Sequence, residues 1–206
     1  MGMEQQDRIP SRVFRASVLV TSLAILGSGK TASAQAFNTT YNLPGDTLPA
    51  SVGSNTRVNV NSGGSVTSYS FGASNGSVQN VEVNLNSGST GNNINFYDGA
   101  TLNAFDGTYI DGAGSVSLNL NNGSVVNQSG GRILAGTLSI KGGSQYNLSG
   151  GTMGYDPDRL DHGQLDVTGE LNVTGGLVNA LGDVSGSGVV NVSGGEVRLE
   201  REVKPT

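Results

Sequence analysis

Three aspartates fall close together in one segment of the chain. Asp156, Asp158 and Asp161 lie within residues 154–163, beside Tyr155 and the single histidine, His162. Hard cations such as Ca²⁺ bind several oxygen ligands, and carboxylates supply them. The segment lacks the glycine and the terminal glutamate of an EF-hand loop, so the alternative is a polar loop whose aspartates cap turns. We treat the three aspartates as the candidate Ca²⁺ ligands and predict no other cofactor.

Further aspartates precede glycines elsewhere in the chain. Asp98, Asp106 and Asp111 are each followed by glycine, a pair that suits either a ligand-bearing turn or an Asx turn. The nonapeptide Gly-Gly-x-Gly-x-Asp repeat that builds calcium-binding rolls is absent from the sequence. The sequence therefore favours Asx turns at these three positions.

Residue types suited to catalysis are present, but their pattern predicts no enzyme. A Ser-His-Asp triad or a multi-histidine zinc site would have to include His162, the only histidine. Cleavage of a polysaccharide needs paired carboxylates with a cation nearby, which Asp166 and Glu170 could supply together with Arg132 and Lys141. Enzymes of that kind usually have larger chains with long loops that form a cleft.

The elements that would position these side chains come from a repeat. Residues 119–133 resemble residues 139–153, with Gly, Ser, Asn, Ser, Gly and Gly at matching positions 20 apart. Short apolar-polar alternations such as Val81–Leu85 predict strands, and the glycines between them predict sharp turns. A unit of this length that recurs along a chain is typical of a solenoid, in which each unit forms one turn.

One column of asparagines distinguishes stacked turns from hairpins. Four asparagines each stand three positions before the first glycine of a Gly-Gly pair: Asn127, Asn147, Asn172 and Asn191. Parallel, in-register stacking explains this recurrence, whereas antiparallel hairpins do not. We predict an all-β fold, a right-handed parallel β-helix (β-solenoid) with about 20 residues per rung. We expect the asparagines to form an amide ladder inside the coil; the alternative is an outward polar face that meets glycans.

The sequence divides into four segments. Residues 1–36 have the basic, apolar and small-residue regions of a signal peptide, and their apolar stretch is shorter than the roughly 20 residues that span a bilayer. Residues 37–55 contain Pro44 and Pro49, which disfavour strand pairing and predict an N-terminal cap over the first rung. Residues 56–200 are predicted to form the β-helix and residues 201–206 a C-terminal tail.

Composition excludes several classes of protein. The chain has 33 glycines, no cysteine, 35% hydrophobic and 5% aromatic residues, and a formal net charge of -5. Disulfide frameworks and thiolate metal sites are therefore unavailable, and the acidic balance argues against nucleic-acid binding. Low hydrophobicity also favours a disordered linker, but the regular spacing of Val, Leu and Ile favours an ordered coil.

The repeat resembles a group of known proteins. Asn-Val-Ser-Gly-Gly-Glu-Val and its related copies are similar to the Gly/Asn-rich β-solenoid repeats of secreted bacterial surface proteins, including autotransporter passengers and adhesin-like segments. The opening Asn-Leu-Pro-Gly-Asp-Thr-Leu-Pro resembles the start of planctomycete-type exported repeat proteins. The chain differs from complete autotransporters in having no C-terminal membrane barrel, and from dockerin-bearing proteins in having no dockerin loop.

These observations predict a secreted or cell-surface protein with a structural or adhesive role and no catalysis. The alternative is a carbohydrate-binding or polysaccharide-degrading module on the same coil. Expected partners are extracellular glycans or surface proteins, with no nucleic acid and no stable membrane span after signal cleavage. The sequence leaves the oligomeric state open.

Overall fold

The computed structural model describes residues 36–111, 117–134, 137–154, 164–181 and 187–200. These residues belong to one compact unit, Ala32–Thr206. The other unit, Met1–Thr31, lies outside the described residues, as do the rest of the predicted signal peptide up to residue 35 and the predicted tail at 201–206.

The described residues form strands and turns and contain no helix. The strands are β1 (Thr39–Leu43), β2 (Thr56–Val60), β3 (Ser65–Phe71), β4 (Val81–Leu85), β5 (Thr90–Phe96), β6 (Ala100–Ala104), β7 (Tyr109–Asp111), β8 (Ser117–Leu120), β9 (Val125–Gln128), β10 (Arg132–Leu134), β11 (Thr137–Ile140), β12 (Gln145–Leu148), β13 (Thr152–Gly154), β14 (Gln164–Val167), β15 (Glu170–Val173), β16 (Leu177–Leu181), β17 (Val189–Val192) and β18 (Glu196–Glu200). Within this part of the chain, nothing has the length and apolar character of a membrane-crossing helix.

The strands pair in parallel and form two sheets. Sheet A has eight strands in the order β1-β2-β4-β6-β9-β12-β15-β17. Sheet B has ten, in the order β13-β10-β7-β5-β8-β11-β14-β16-β18 with β3 paired to β5. Each strand of sheet A therefore pairs with the strand one full turn of the chain away, as in β12, which pairs with β9 and β15. This confirms the prediction of an all-β, parallel β-helix built from repeats.

Apolar residues at alternate positions explain why sheet A forms. In β2 and β4 the first, third and fifth residues are buried and the second and fourth are half-buried. This two-residue alternation directs one side of each strand into the coil and the other side to the outer face. Stacking each strand on the next buries the aliphatic side chains in continuous columns, one of which contains Val58, Val83 and Leu102.

Sheet B provides two sides of the coil because its strands bend. The seven-residue strand β5 pairs through Thr90 with β7 and through Ile94 with β8. Between these two parts Asn93 has a φ of 51°, and Ser68 has a φ of 52° at the corresponding place in β3. Asparagine accepts this left-handed conformation more readily than most residues. In later rungs each of these two sides is a strand of its own, as in β10 and β11.

The coil begins earlier than residue 56. Residues Thr39–Leu43 form β1, which pairs with β2 in parallel from Thr39 opposite Thr56 to Leu43 opposite Val60. The segment predicted to cap the first rung thus supplies the first strand, because its prolines lie beyond the paired residues. The residues that follow cover the strand edge, since the Asn42 N–H donates to Asp46 Oδ2 at 2.6 Å and the Asp46 N–H donates to the Asn42 carbonyl oxygen at 2.9 Å.

The core is mainly aliphatic and contains aromatic side chains at two places. Phe71 and Phe96 stack on adjacent rungs with ring centroids 5.4 Å apart. Further along, the buried Tyr146 hydroxyl donates to Gln128 Oε1 at 2.5 Å, while Gln128 Nε2 donates to the main-chain carbonyl of Thr152 at 3.0 Å. Burial raises the pKa of Tyr146 well above its ordinary value. The pair satisfies polar groups that would be costly to bury alone.

The second glycine of the Gly-Gly pairs that follow β9, β12, β15 and β17 is required by the stacking. Gly151 has a φ of 80°, and a side-chain carbon there would lie 2.6 Å from the main-chain carbon of Gly130 on the preceding rung. Gly176 and Gly195 have φ values of 77° and 74° at the equivalent turns. Only glycine combines this backbone conformation with such close approach of the neighbouring rung.

Candidate functional site

A continuous line of asparagine side chains crosses sheet A. Asn147 Nδ2 donates to Asn127 Oδ1 at 3.0 Å, Asn172 donates to Asn147 at 2.9 Å, and Asn191 donates to Asn172 at 2.9 Å. The line continues towards the N-terminus through four more residues. We name the complete set the asparagine column: Asn42, Asn59, Asn84, Asn103, Asn127, Asn147, Asn172 and Asn191.

The column runs in one direction and spans turns of unequal length. In every pair the amide nitrogen of the later residue donates to the oxygen of the earlier one, at 2.9–3.0 Å. The sequence separation varies from 17 residues, for Asn42 and Asn59, to 25 residues, for Asn59 and Asn84. Extra residues in a rung therefore leave the coil without changing the strand register.

The Gly-Gly motif in the sequence identifies only four of the eight asparagines in this column. Asn42, Asn59, Asn84 and Asn103 do not precede a Gly-Gly pair at the same spacing. They share instead an apolar residue on each side, as in Val58-Asn59-Val60. This pattern alone is ambiguous, because Leu118-Asn119-Leu120 has it and lies in sheet B, where Asn119 donates to Asn95 at 2.9 Å.

The asparagine column lies outside the coil, so the expectation of an internal ladder is wrong. Asn127 and Asn191 are exposed, and Asn147 and Asn172 are half-buried. Inward positions on both sides of Asn147 are occupied by the buried residues Tyr146 and Leu148. Because successive side chains of a strand point to opposite faces, the amides project from the outer face of sheet A.

A second outward column runs beside the first, two residues earlier in each strand. It is more varied and includes charged groups: Thr40, Arg57, Glu82, Thr101, Val125, Gln145, Glu170 and Val189. Glu82 Oε1 accepts hydrogen bonds from Arg57 Nε at 2.7 Å and from Asn84 Nδ2 at 2.9 Å. The guanidinium of Arg57 also lies 4.2 Å from the ring centroid of Phe37.

A groove of about 530 Å³ opens on this outer face at β4, β6 and β9. Its lining combines the two outward columns with the corner that leads into sheet A: Gln79, Asn80, Val81, Glu82, Gly99, Ala100, Thr101, Asn103, Gly123 and Asn127. Most of these residues carry amide, hydroxyl or carboxylate groups. The groove is thus a polar depression in the face that carries the asparagine column.

The structure does not describe the main candidate cation ligands. Asp156, Asp158 and Asp161 lie outside the described residues, as does His162. Asp98 and Asp106 stand at different corners, one following β5 and the other following β6. Asp106 Oδ1 accepts a hydrogen bond from the Gly107 N–H at 3.0 Å. Asp111 ends β7, and its side chain is not among the described ones.

The carboxylates and cations considered for polysaccharide cleavage are spread over two sheets and a corner of the coil. Asp166 is in β14 of sheet B, whereas Glu170 is in β15 of sheet A. Arg132 begins β10, and Lys141 follows β11 at another corner of the same rung. The described residues contain no group of three or more His, Cys, Asp or Glu side chains that could hold a metal ion.

Comparison with known proteins adds no assignment. No protein-family model, no curated protein and no solved structure matches this chain. The outer face of sheet A, with its asparagine column and its groove, is therefore the candidate functional surface on structural grounds alone.

Proposed function

We propose that the chain is a secreted structural or adhesive β-solenoid that acts at a cell surface or in an extracellular matrix, without catalysis. The observation that carries this proposal is the outward asparagine column. Eight successive strands of sheet A present the same amide at the same position, and neighbouring strands are about 4.8 Å apart. The result is a repetitive line of uncharged polar groups along this face.

Such a surface suits contacts that are individually weak and numerous. The amide of Asn103 uses one N–H in the column and has a second N–H to offer to a partner. Identical groups on successive rungs can engage an extended partner at several points, which raises the total affinity without any strong single contact. Adhesion and matrix assembly both depend on contacts of this kind.

The coil is stabilised without disulfides. The sequence contains no cysteine, so stability depends on strand pairing and on the buried aliphatic columns. The buried residues Leu85, Leu102 and Val126 lie on three successive strands of sheet A. An N-terminal segment with signal-peptide features is the sequence observation that supports export.

Surface labelling of the producing cells tests the proposal. An antibody raised against the purified chain should label intact, unpermeabilised cells or the surrounding matrix, and beads coated with the chain should attach to those cells. A signal confined to the cytoplasm of permeabilised cells would overturn the proposal.

Incubation of the chain with acidic and neutral polysaccharides tests the absence of catalysis. We expect no release of reducing ends. Release that disappears in both Asp166→Ala and Arg132→Ala would replace the structural role with a polysaccharide-degrading one.

A further inference from the structure

The groove on sheet A lies where the corner residues of the coil change from asparagine to glycine. The column of corner residues that precede the strands of sheet A has Asn55 before β2 and Asn80 before β4, joined by a 2.8 Å hydrogen bond between their side chains. The next member is Gly99, before β6, and Gly123 stands at the following turn. The line of corner asparagines thus stops at Asn80, and the next two corner positions are glycines that lie against Gln79 and Asp98.

The floor of the depression is set by a short side chain in the second outward column. Thr101 stands between Glu82 and Val125 on adjacent strands, and it is half-buried. Its hydroxyl makes no hydrogen bond to any other described residue. The groove volume of about 530 Å³ lies within the usual range for small-ligand sites, roughly 300–1,000 Å³.

The groove offers hydrogen-bonding groups that no other described residue uses. Glu82 binds Arg57 and Asn84 through Oε1 alone, which leaves Oε2 as an acceptor. Asn80 donates through Nδ2, which leaves its Oδ1 as an acceptor. Thr101 both donates and accepts. The lining therefore combines acceptors, a hydroxyl group and the remaining amide N–H of Asn103, which match the hydroxyl groups of a sugar, each of which donates and accepts.

We propose that this groove binds a neutral saccharide, with Glu82, Asn80 and Thr101 making the hydrogen bonds that orient a sugar ring. The proposal rests on the adhesive function proposed above and names the chemistry of its partner. A longer glycan chain would extend from the groove along the asparagine column, where Asn103 and Asn127 offer further amide groups.

Charge selects against acidic glycans at this site. Glu82 is the single charged residue among those that line the groove, and the whole chain carries a formal charge of -5. The carboxylate of an acidic sugar would meet Glu82 at short range, where like charges repel. Neutral glycans avoid this repulsion and keep the same hydroxyl contacts.

A glycan array of neutral and acidic oligosaccharides, followed by titration calorimetry with the best-bound neutral hexasaccharide, tests the proposal on the purified full chain. Thr101→Lys fills the groove, and we expect it to weaken binding at least tenfold. Gln145→Lys is the matched control because Gln145 occupies the same outward column, away from the groove; its binding should equal that of the wild type. Far-UV circular dichroism and thermal midpoints establish that both variants fold.

Glu82→Gln provides a variant that keeps the shape of the groove. We expect it to reduce the preference for neutral over acidic oligosaccharides, because the repelling carboxylate is gone and Arg57 loses its ion-pair partner. No binding of any neutral oligosaccharide at millimolar concentration, or binding that Thr101→Lys leaves intact, would overturn the inference. If saccharide binding fails but the chain is still found at the cell surface, the saccharide site is wrong and the proposed function is unaffected. A cytoplasmic location would contradict the proposed function whatever the glycan array shows.

Discussion

Asn172 donates a 2.9 Å hydrogen bond to Asn147 across 25 residues of sequence, while Asn147 donates a 3.0 Å bond to Asn127 across only 20 residues. The two contacts have the same geometry although one rung is five residues longer. The connection between β13 and β14 is seven residues longer than that between β10 and β11, and the next corner is two residues shorter. Strand pairing, and not constant rung length, therefore keeps the asparagines aligned.

The asparagine column predicts a measurable loss when one amide becomes a carboxylate. Asn147→Asp removes the donor to Asn127 and places a negative charge beside its amide oxygen. A typical net contribution of 0.5–1.5 kcal/mol per hydrogen bond gives an expected loss of about 1–2 kcal/mol in the free energy of unfolding at pH 7, measured by urea denaturation. The loss should shrink below about pH 4, where a protonated carboxyl regains a donor.

Asn92→Asp is the matched control for that substitution. Asn92 is half-buried in β5 of sheet B and makes no hydrogen bond through its side chain to another described residue. We expect its unfolding free energy to change by less than about 0.5 kcal/mol, the usual range for surface substitutions. Equal losses of unfolding free energy at the two positions would show that the hydrogen bonds of the asparagine column do not stabilise the fold.

Because of the stacked glycines, we expect two glycine-to-alanine substitutions to differ greatly in their effect on the free energy of unfolding. Gly151→Ala places a methyl group 2.6 Å from the Gly130 main-chain carbon at a φ of 80°, and we expect a loss of about 3 kcal/mol from strain and overpacking. Gly142→Ala is the control, because the nearest atom there, the Thr168 carbonyl oxygen, is 3.9 Å away. Chemical denaturation of the two variants measures the difference, and comparable stabilities would contradict the stacking of the turns.

The buried tyrosine predicts a specific response to alkaline pH. Burial raises the pKa of Tyr146 well above 10.0, so the folded chain retains a proton that the unfolded chain releases. Tyr146 therefore lowers the free energy of unfolding as the pH rises above about 10, and its contribution is constant below that pH. Tyr146→Phe should make the stability profile flatter between pH 9 and about 12, although the variant loses the bond to Gln128 and is less stable at neutral pH.

Tyr97→Phe is the comparison for the alkaline experiment. Tyr97 lies at the turn after β5 and is half-buried. Its substitution should leave the alkaline decrease in stability intact. A decrease that is the same in wild type and in Tyr146→Phe would mean that other groups cause it.

Replacement of Asp46 is expected to increase self-association of the chain. Its carboxylate accepts a hydrogen bond from the Asn42 main-chain N–H, and its own main-chain N–H donates to the Asn42 carbonyl oxygen, both at the outer edge of β1. Asp46→Ala leaves the Asn42 N–H without its side-chain acceptor, and unpaired strand edges promote association between chains. Sedimentation velocity should show a higher average mass for Asp46→Ala than for wild type at equal concentration. Asp46→Asn, which retains an acceptor, should behave like wild type, and three identical profiles would contradict an edge-covering role.

The strands and their parallel stacking were predictable because they depend on local patterns. Alternating residues such as Val81–Leu85 identify strands directly, and the recurrence of asparagine before Gly-Gly identifies the parallel arrangement. The N-terminal strand was missed because Pro44 and Pro49 dominated the local pattern, although Thr40, Tyr41 and Asn42 repeat the outward, inward and outward order of β2.

Features that depend on contacts between distant residues were less accessible. The column lies outside the coil because alternate positions such as Leu171 and Val173 fill the interior, and a motif count does not assign a face. The groove lies where Gly99 takes the place of Asn80 on the next rung. Finding that place requires knowledge of which residues of β4 and β6 are paired. Rung lengths of 19 and 25 residues in neighbouring turns conceal that register in the sequence.

Disulfide formation between introduced cysteines tests the central claim, that successive rungs stack in parallel along the asparagine column. The chain has no native cysteine, so a double variant reports only on the introduced pair. Asn127 and Asn147 are direct partners on neighbouring strands, whose separation of about 4.8 Å suits a disulfide.

Asn127 and Asn172 lie two strands apart, at about twice that distance and beyond the reach of a disulfide. Mild oxidation followed by mass spectrometry should therefore give a nearly complete intramolecular disulfide in Asn127→Cys/Asn147→Cys and none in Asn127→Cys/Asn172→Cys. An absent disulfide in the first variant, or equal yields in the two, would contradict the parallel stack.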